Sequence, residues 1–326
     1  DIMFSENRGT GAIMRRHGPD YPFLKIKNLL LEADILFGNL ESPISLRGKP
    51  FPRQDGHITF RAAPDTVEGL ATCKFDIVSL ANNHATDYGP EAFLDTFDIL
   101  EQNGIKHVGA GRNRAEAESA VILERNGIRI GFLAYSSFIM FATSPASRSR
   151  CGIAQFNIRR ARNRIRETRS MADIVIVSMH WGLDFTEYPV PIHMDYARDI
   201  IDSGAHVVVG HHSHYLQGIE HYKGGVIAYS LGDFIFDEPG RETCVLKLGL
   251  STDGIENIEL LPARISDDLQ TEPVDGPEGD RIIDKVQSLS RAYRNYEPDR
   301  ARKMLDDYIV WNMYIFLKSG NMHALG

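Results

Sequence analysis

Cysteine is scarce in this chain, and long apolar runs are missing. Cys73, Cys151 and Cys244 lie far apart and none forms a C-x-x-C pair, which argues against a disulfide framework and against a thiolate zinc site. No run of about eighteen apolar residues occurs, so nothing in the covered sequence reads as a membrane span or a signal peptide. Positive charge is also in deficit. The 36 Lys and Arg against 44 Asp and Glu give a formal net charge of −8, which excludes the dominant cationic surface of a general nucleic-acid binder. Internal repeats and low-complexity tracts are absent. What remains is a chain of 326 residues, 43% apolar, enough for one large domain or one domain with an appendage.

Short β-branched runs predict buried strands at Ile35–Phe37, Ile77–Leu80, Arg129–Tyr135, Ile174–Ser178, Val207–Val209 and Val226–Leu231. Between them, helical spacing predicts helices over Phe23–Ala33, Pro64–Lys74, Pro90–Gln102 and Ile192–Asp202, the last two followed by Gly104 and Gly204 as stop signals. Strands and helices alternating in this way imply an α/β fold. Asn126-Gly127 and Asp253-Gly254 predict hairpin turns, so the sheets should be mixed. Beyond about residue 265 the texture becomes polar, with helices expected over Asp280–Tyr293 and Asp299–Lys318. The division expected is therefore a main domain over 1–264 and a helical extension over 265–326.

The chemistry collects where the apolar runs end. Ile35–Phe37 leads to Glu41, Ile77–Leu80 to Asn83 and His84, Val175–Met179 to His180, Val207–Val209 to His212 and His214, and Val226–Leu231 to Asp233; the chain opens on Asp1. In open α/β sheets the ligand crevice lies at the carboxyl ends of the strands, so one fold can gather these endings. Asp, Glu, Asn and His form a mixed O/N set suited to Zn²⁺, Mn²⁺, Fe²⁺ or Mg²⁺, and two such ions can share a bridging carboxylate. His212-x-His214 is the most specific element, because alternate residues of extended backbone point to one side. His17, His57, His107, His193, His206, His221 and His323 read as structural.

Asp1-Ile-Met, Asn39-Leu-Glu-Ser-Pro43, Ser79-Leu-Ala-Asn-Asn-His84 with Asp87-Tyr-Gly89, His107-Val-Gly-Ala-Gly-Arg112, His180-Trp-Gly182, Gly210-His-His-Ser-His214 and Tyr229-Ser-Leu-Gly-Asp-Phe234 occur in one order over residues 1–237. This pattern resembles the CapA/PgsA family of capsule and poly-γ-glutamate synthesis proteins, itself similar to the calcineurin-like metallophosphoesterases. The resemblance implies an αββα sandwich, two mixed sheets flanked by helices, with a two-metal site. It carries Asp1, Glu41, Asn83, His180, His212 and His214 onto the metal ligands and His84 onto the proton donor. Asp184 and Asp233 stand where the family pattern has Glu and Asn, and join His84 as candidate catalytic residues. Met3 occupies the His position of the superfamily's Asp-x-His, and a thioether is a poor ligand for hard ions, so one of the two positions is expected to be weak. Ala85 stands where an acidic residue commonly follows the Asn-His pair.

Three functions follow as expectations. The first is metal-assisted hydrolysis or acyl transfer on an envelope polymer, amide or phosphoryl substrate. The second is metal-free acid–base catalysis on a peptide, as in an epimerase. The third is an accessory role beside the membrane subunits of a capsule synthase. The expected partner is an anionic polymer or peptide and not nucleic acid. Envelope association through an upstream segment is compatible with Asp1-Ile-Met-Phe reading as the end of a buried strand. Arg159, Arg160, Arg162, Arg164, Arg166 and Arg169 on one predicted helix read first as a solvated face and second as a polyanion patch. The loops Ser45–Ala62 and Met140–Gln155 are candidate lids, and Trp181 a candidate pocket wall.

Overall fold

Strands buried on both faces build the molecule from two facing sheets. The computed structural model of the chain describes residues 1–6, 8–51, 59–137 and 143–294, the last three by backbone alone. The expected helix Asp299–Lys318, His57, His323, the middle of the loop Ser45–Ala62 and the start of the loop Met140–Gln155 lie outside them. The first sheet is parallel, ordered β1 (Phe37–Asn39), β2 (Ile77–Ser79), β3 (Lys106–Val108). The second has six strands in the order β10 (Ile219–Tyr222), β11 (Gly225–Ala228), β9 (Val207–His211), β8 (Ile174–His180), β6 (Ile128–Ser136), β5 (Val121–Arg125). Its four inner strands are parallel and its two edges antiparallel.

Alternate residues of each strand face different cores. Ile77 of β2 joins Ile130, Phe132 and Ala134 of β6 and Ile174 of β8 between the sheets, where the Phe37 and Phe132 rings stack at 5.7 Å. Val78 turns the other way, toward α3 (Val67–Thr72) and α4 (Gly89–Gln102), packing with Leu70, Phe93, Phe97 and Leu100. Leu133, Val175, Val177 and Val208 face outward from the second sheet and meet Ala161 and Ile165 of α6 (Ile158–Arg169) and Ala197, Ile200 and Ile201 of α7 (Pro191–Asp202). Each such buried Ile, Leu or Val contributes roughly 1.5–3 kcal/mol. The layering is helix, sheet, sheet, helix, as expected.

Smaller elements complete the chain: α1 (Gly9–His17), α2 (Lys27–Leu30), α5 (Arg114–Ala117) and the short pair β4 (Ala110–Gly111) with β7 (Gly152–Ile153). A third, antiparallel sheet of β12 (Glu242–Ser251), β13 (Gly254–Ile265) and β14 (Thr271–Pro273) follows. The helix α8 (Gly276–Arg294) buries Ile282 and Val286 against Leu216, Cys244 and Val274. No described helix is long and apolar enough to cross a membrane.

Several expectations shift. Phe23–Ala33 is not one helix but a 3₁₀ turn over Tyr21–Phe23 and the single turn α2. Phe23, Ile26 and Leu30 all reach one core through these successive turns; their spacing reflected burial, and a helix this short owes its stability to packing. The Asn126-Gly127 turn is as read, with φ of 51° and 78°, the signature of a type I′ hairpin. The second hairpin turns one residue earlier than read, since Ser251 pairs with Gly254. Trp181 is not a pocket wall: it is 2% exposed, stacks on His193 and Tyr229, and donates from Nε1 to the Tyr229 carbonyl at 3.2 Å. On α6, Arg160 pairs with Glu118 and Arg162 with Asp199, holding neighbouring segments, Arg164 pairs with Glu167 on the same helix, and Arg159, Arg166 and Arg169 are exposed.

Candidate metal centre

The strand ends converge as the sequence pattern required. β1 delivers Glu41, the turn after β2 delivers Asn83 and His84, β8 ends on His180, and β9 ends on His211 just before His212 and His214. Residues 1–3 run parallel between two segments, with Ile2 bridging both Leu40 and Ile235, so Asp1 comes beside Asp233 although 231 positions separate Asp1 from Gly232.

Two ligand clusters result, each with its candidate ligand atoms within 4.8 Å of one another: Glu41, His180 and His212 in one, Asp1, His214 and Asp233 in the other. In the first, His180 Nε2 lies 3.4 Å from Glu41 Oε1 and 2.7 Å from Asn83 Oδ1. In the second, His214 Nδ1 lies 2.8 Å from Asp233 Oδ1 and 3.9 Å from Asp1 Oδ2. Asp184 stands at the mouth, 38% exposed, with Oδ1 3.4 Å from His212 Nε2 and 4.0 Å from His214 Nε2, and so touches both clusters.

The mechanism expected for His212 and His214 is corrected. The strand stops at His211, and the two histidines have φ of 94° and 60°, so they do not project side by side from extended backbone. Left-handed backbone at a non-glycine residue is strained and collects at functional sites. Here it sends His212 to the Glu41 cluster, its ring 4.7 Å from that of His180, and His214 to the Asp1 cluster, with the two rings 6.2 Å apart.

Burial sets the electrostatics. Glu41 is 0% exposed and neither carboxylate oxygen has a hydrogen-bond partner among the described residues; desolvation pushes its pKa up to about 7. Desolvation lowers His212 to about 4 and His180 well below the ordinary imidazole value, the neighbouring histidines adding to the latter. Burial opposes charge on His214 as well, but Asp233, by charge and hydrogen bond, with Glu41 and Asp184, holds it up to about 9. A buried carboxylate without donors beside neutral imidazoles is the donor set a divalent cation satisfies. The residues therefore fit the expected metals.

Supporting residues escaped the sequence reading. His84 Nδ1 pairs with Asp87 Oδ2 at 2.7 Å, and the same oxygen accepts from the Phe60 backbone at 2.8 Å. Asp87, three residues after His84, thus supplies a carboxylate where Ala85 has none; its signal was the Asp87-Tyr-Gly89 segment. Asn39 Nδ2 donates to Asp1 Oδ1 at 2.6 Å, and His211 Nδ1 approaches the same oxygen at 3.6 Å. Phe185, 53% exposed at φ 58°, stacks on His214, and Arg241 lies over Phe185 and Tyr215. Met3 is fully buried among Phe60, Phe236, Ile265 and Leu269, a core residue.

Comparison with known proteins agrees with the sequence resemblance. The family model described as bacterial capsule synthesis protein PGA_cap matches residues 1–238. The chain is 31% identical over 278 residues to the capsule biosynthesis protein CapA of Bacillus anthracis, covering 82% of this chain and 66% of that one. It is 30% identical over 269 residues to the PGA biosynthesis protein CapA of Bacillus subtilis, covering 81% and 70%. The chain thus spans about two thirds of the length of these relatives. Among solved structures, a hypothetical protein from Thermus thermophilus is similar at a TM-score of 0.49 and 17% identity, covering 76% of this chain and 94% of that one. A phosphatase from Mycoplasma pneumoniae is similar at 0.48 and 10% identity, covering 80% and 94%.

Proposed function

The chain belongs to the bacterial capsule synthesis protein family, and from that premise we propose that it is a metal-dependent hydrolase or acyl-transfer enzyme acting on an anionic envelope polymer of the poly-γ-glutamate type. The observation that carries the reading is Glu41, a carboxylate with no solvent exposure and no hydrogen bond among the described residues, facing His180 and His212. Strongly perturbed, buried ionisable groups cluster at functional sites. Glu41, Asn83, His180 and His212 would hold one ion, and Asp1 and His214 belong to a second position. Divalent ions there supply Lewis acidity toward a carbonyl or phosphoryl oxygen and acidify water.

The chain's own residues do the rest. Asp87 holds the proton on His84 Nδ1, so Nε2 is the nitrogen that exchanges a proton with a leaving group. Asp184, partly exposed at the mouth and in reach of both clusters, takes a proton from the attacking water. The relatives are named for capsule and PGA biosynthesis, which supports an envelope polymer as substrate; capsule-synthase membrane subunits are the partners this reading proposes. The ligand that Met3 cannot supply is the one argument for the metal-free alternative; Met3 is a core residue, but Asp233 stands beside Asp1 and His214, which favours the metal-dependent reading.

Protein purified without added metal should carry divalent ions, lose the one at the Glu41 position on His212→Ala, and cleave poly-γ-glutamate or a γ-glutamyl amide only when loaded. Failure to bind Mn²⁺ or Zn²⁺ at all would overturn the reading. Stoichiometric metal without turnover of either substrate would favour the accessory role instead.

A further inference from the structure

We propose that Asp233 is a direct metal ligand, completing with Asp1 and His214 an oxygen-rich position suited to a hard divalent ion such as Mn²⁺ or Mg²⁺, in place of the ligand that Met3 cannot provide. The inference rests on the metal-dependent reading above and adds to it the make-up of the second position.

Backbone geometry brings the carboxylate there. Apolar residues continue from β11 to Leu231, but the chain leaves the sheet after Ala228, turns at Gly232 with φ 76°, and runs beside residues 1–3. The Asp1 carbonyl accepts from the Phe234 and Ile235 backbones at 2.8 and 3.1 Å, and the Met3 backbone donates to the Ile235 carbonyl at 2.8 Å. Met3 faces the core, while Asp233 presents its carboxylate to Asp1 and His214. The separations of 2.8 and 3.9 Å from His214 Nδ1 bracket the roughly 3.0–3.5 Å between neighbouring ligands on one ion at about 2.1 Å.

The second, independent observation is an uncompensated atom. Asp233 is 0% exposed, and its Oδ2 has no hydrogen-bond partner among the described residues. Arg241 Nε stands 4.0 Å from that oxygen, but the same guanidinium is engaged by Glu238 and lies over Tyr215. The two positions then differ in kind. Glu41, His180 and His212 offer two imidazoles and one carboxylate, whereas Asp1, His214 and Asp233 offer one imidazole and two carboxylates. Carboxylate favours Mg²⁺ and Mn²⁺, and imidazole favours Zn²⁺ and Fe²⁺.

The test titrates the metal-depleted full chain with Mn²⁺ and with Zn²⁺, counting bound equivalents by elemental analysis and following Mn²⁺ by electron paramagnetic resonance. Wild type should bind two equivalents. Asp233→Asn should keep one and bind the other at least tenfold more weakly, and Asp233→His should regain the second equivalent with Zn²⁺ favoured over Mn²⁺ at least tenfold more than in wild type. Two equivalents held by Asp233→Asn with unchanged affinity would overturn this assignment while leaving the two-metal reading intact. No metal on the wild type would overturn both. Circular dichroism confirms that each variant folds, and Asp233→His decides the matter should Asp233→Asn not.

Discussion

Glu41→Gln is expected to stabilise the metal-free protein at alkaline pH and to weaken its response to metal. The Glu41 pKa rises from 4.5 to about 7 through burial. In that window the folded state binds more protons than the unfolded chain, so stability is lost as pH rises from about 4.5 through 7. At about 1.4 kcal/mol per pH unit, the loss comes to about 3 kcal/mol above pH 7. Glutamine removes the charge and therefore the pH-dependent part of the penalty. Burying an amide has its own cost, but that cost is the same at every pH. The variant minus wild-type difference should therefore grow by about 3 kcal/mol between pH 4.5 and pH 8, which is roughly 4–5 °C in melting temperature. Urea denaturation in chelator across this range measures it. Metal at a hundred times its dissociation constant should stabilise wild type by about 2.7 kcal/mol and the variant by far less. A stability difference that does not change with pH, or that moves against the variant as pH rises, would refute the reasoning that Glu41 is an uncompensated buried carboxylate.

Two further outcomes test the surroundings of the site. His193, lowered to about 4 by burial and stacked on Trp181 at 5.3 Å, stays neutral in the folded state where the unfolded chain is protonated. Wild type should thus lose about 3 kcal/mol as pH falls from about 6.5 to 4. His193→Phe keeps the ring stack and should flatten that limb; equal acid slopes in the two proteins would discard the assignment. At Gly210 a Cβ would meet the Tyr229 carbonyl oxygen at 1.9 Å and Trp181 Nε1 at 2.7 Å. Gly210→Ala should therefore cost about 3 kcal/mol and weaken metal binding through the displaced His212, whereas an unaltered thermal melt would show that β9 and β11 can part without strain.

What the sequence made legible and what it hid divide along a physical line. Strand endings were readable because burial on both faces writes a continuous β-branched run, and chemistry after such a run is conspicuous. Ile77–Leu80 before Asn83, and Val207–Val209 before His212, needed no knowledge of distant contacts. The sandwich followed from the same signal, since Ile77 and Val78 each find a different core. Three things stayed hidden because they depend on backbone reversal or remote pairing. His212 and His214 look equivalent in sequence, and only their positive φ values separate them into two clusters. Asp87 supports His84 from a turn in which an expected neighbour is Ala85, a substitution that local pattern reads as a loss. Asp233 meets Asp1 only because residues 1–3 pair with residue 235, a contact no periodicity encodes. The same argument bears on Met3. Its motif position suggested a missing ligand, but ligation depends on which carboxylates share a space. At that place the fold brings Asp233 in from the far end of the matched region, so a residue that reads in sequence as a deficit is compatible with a complete site.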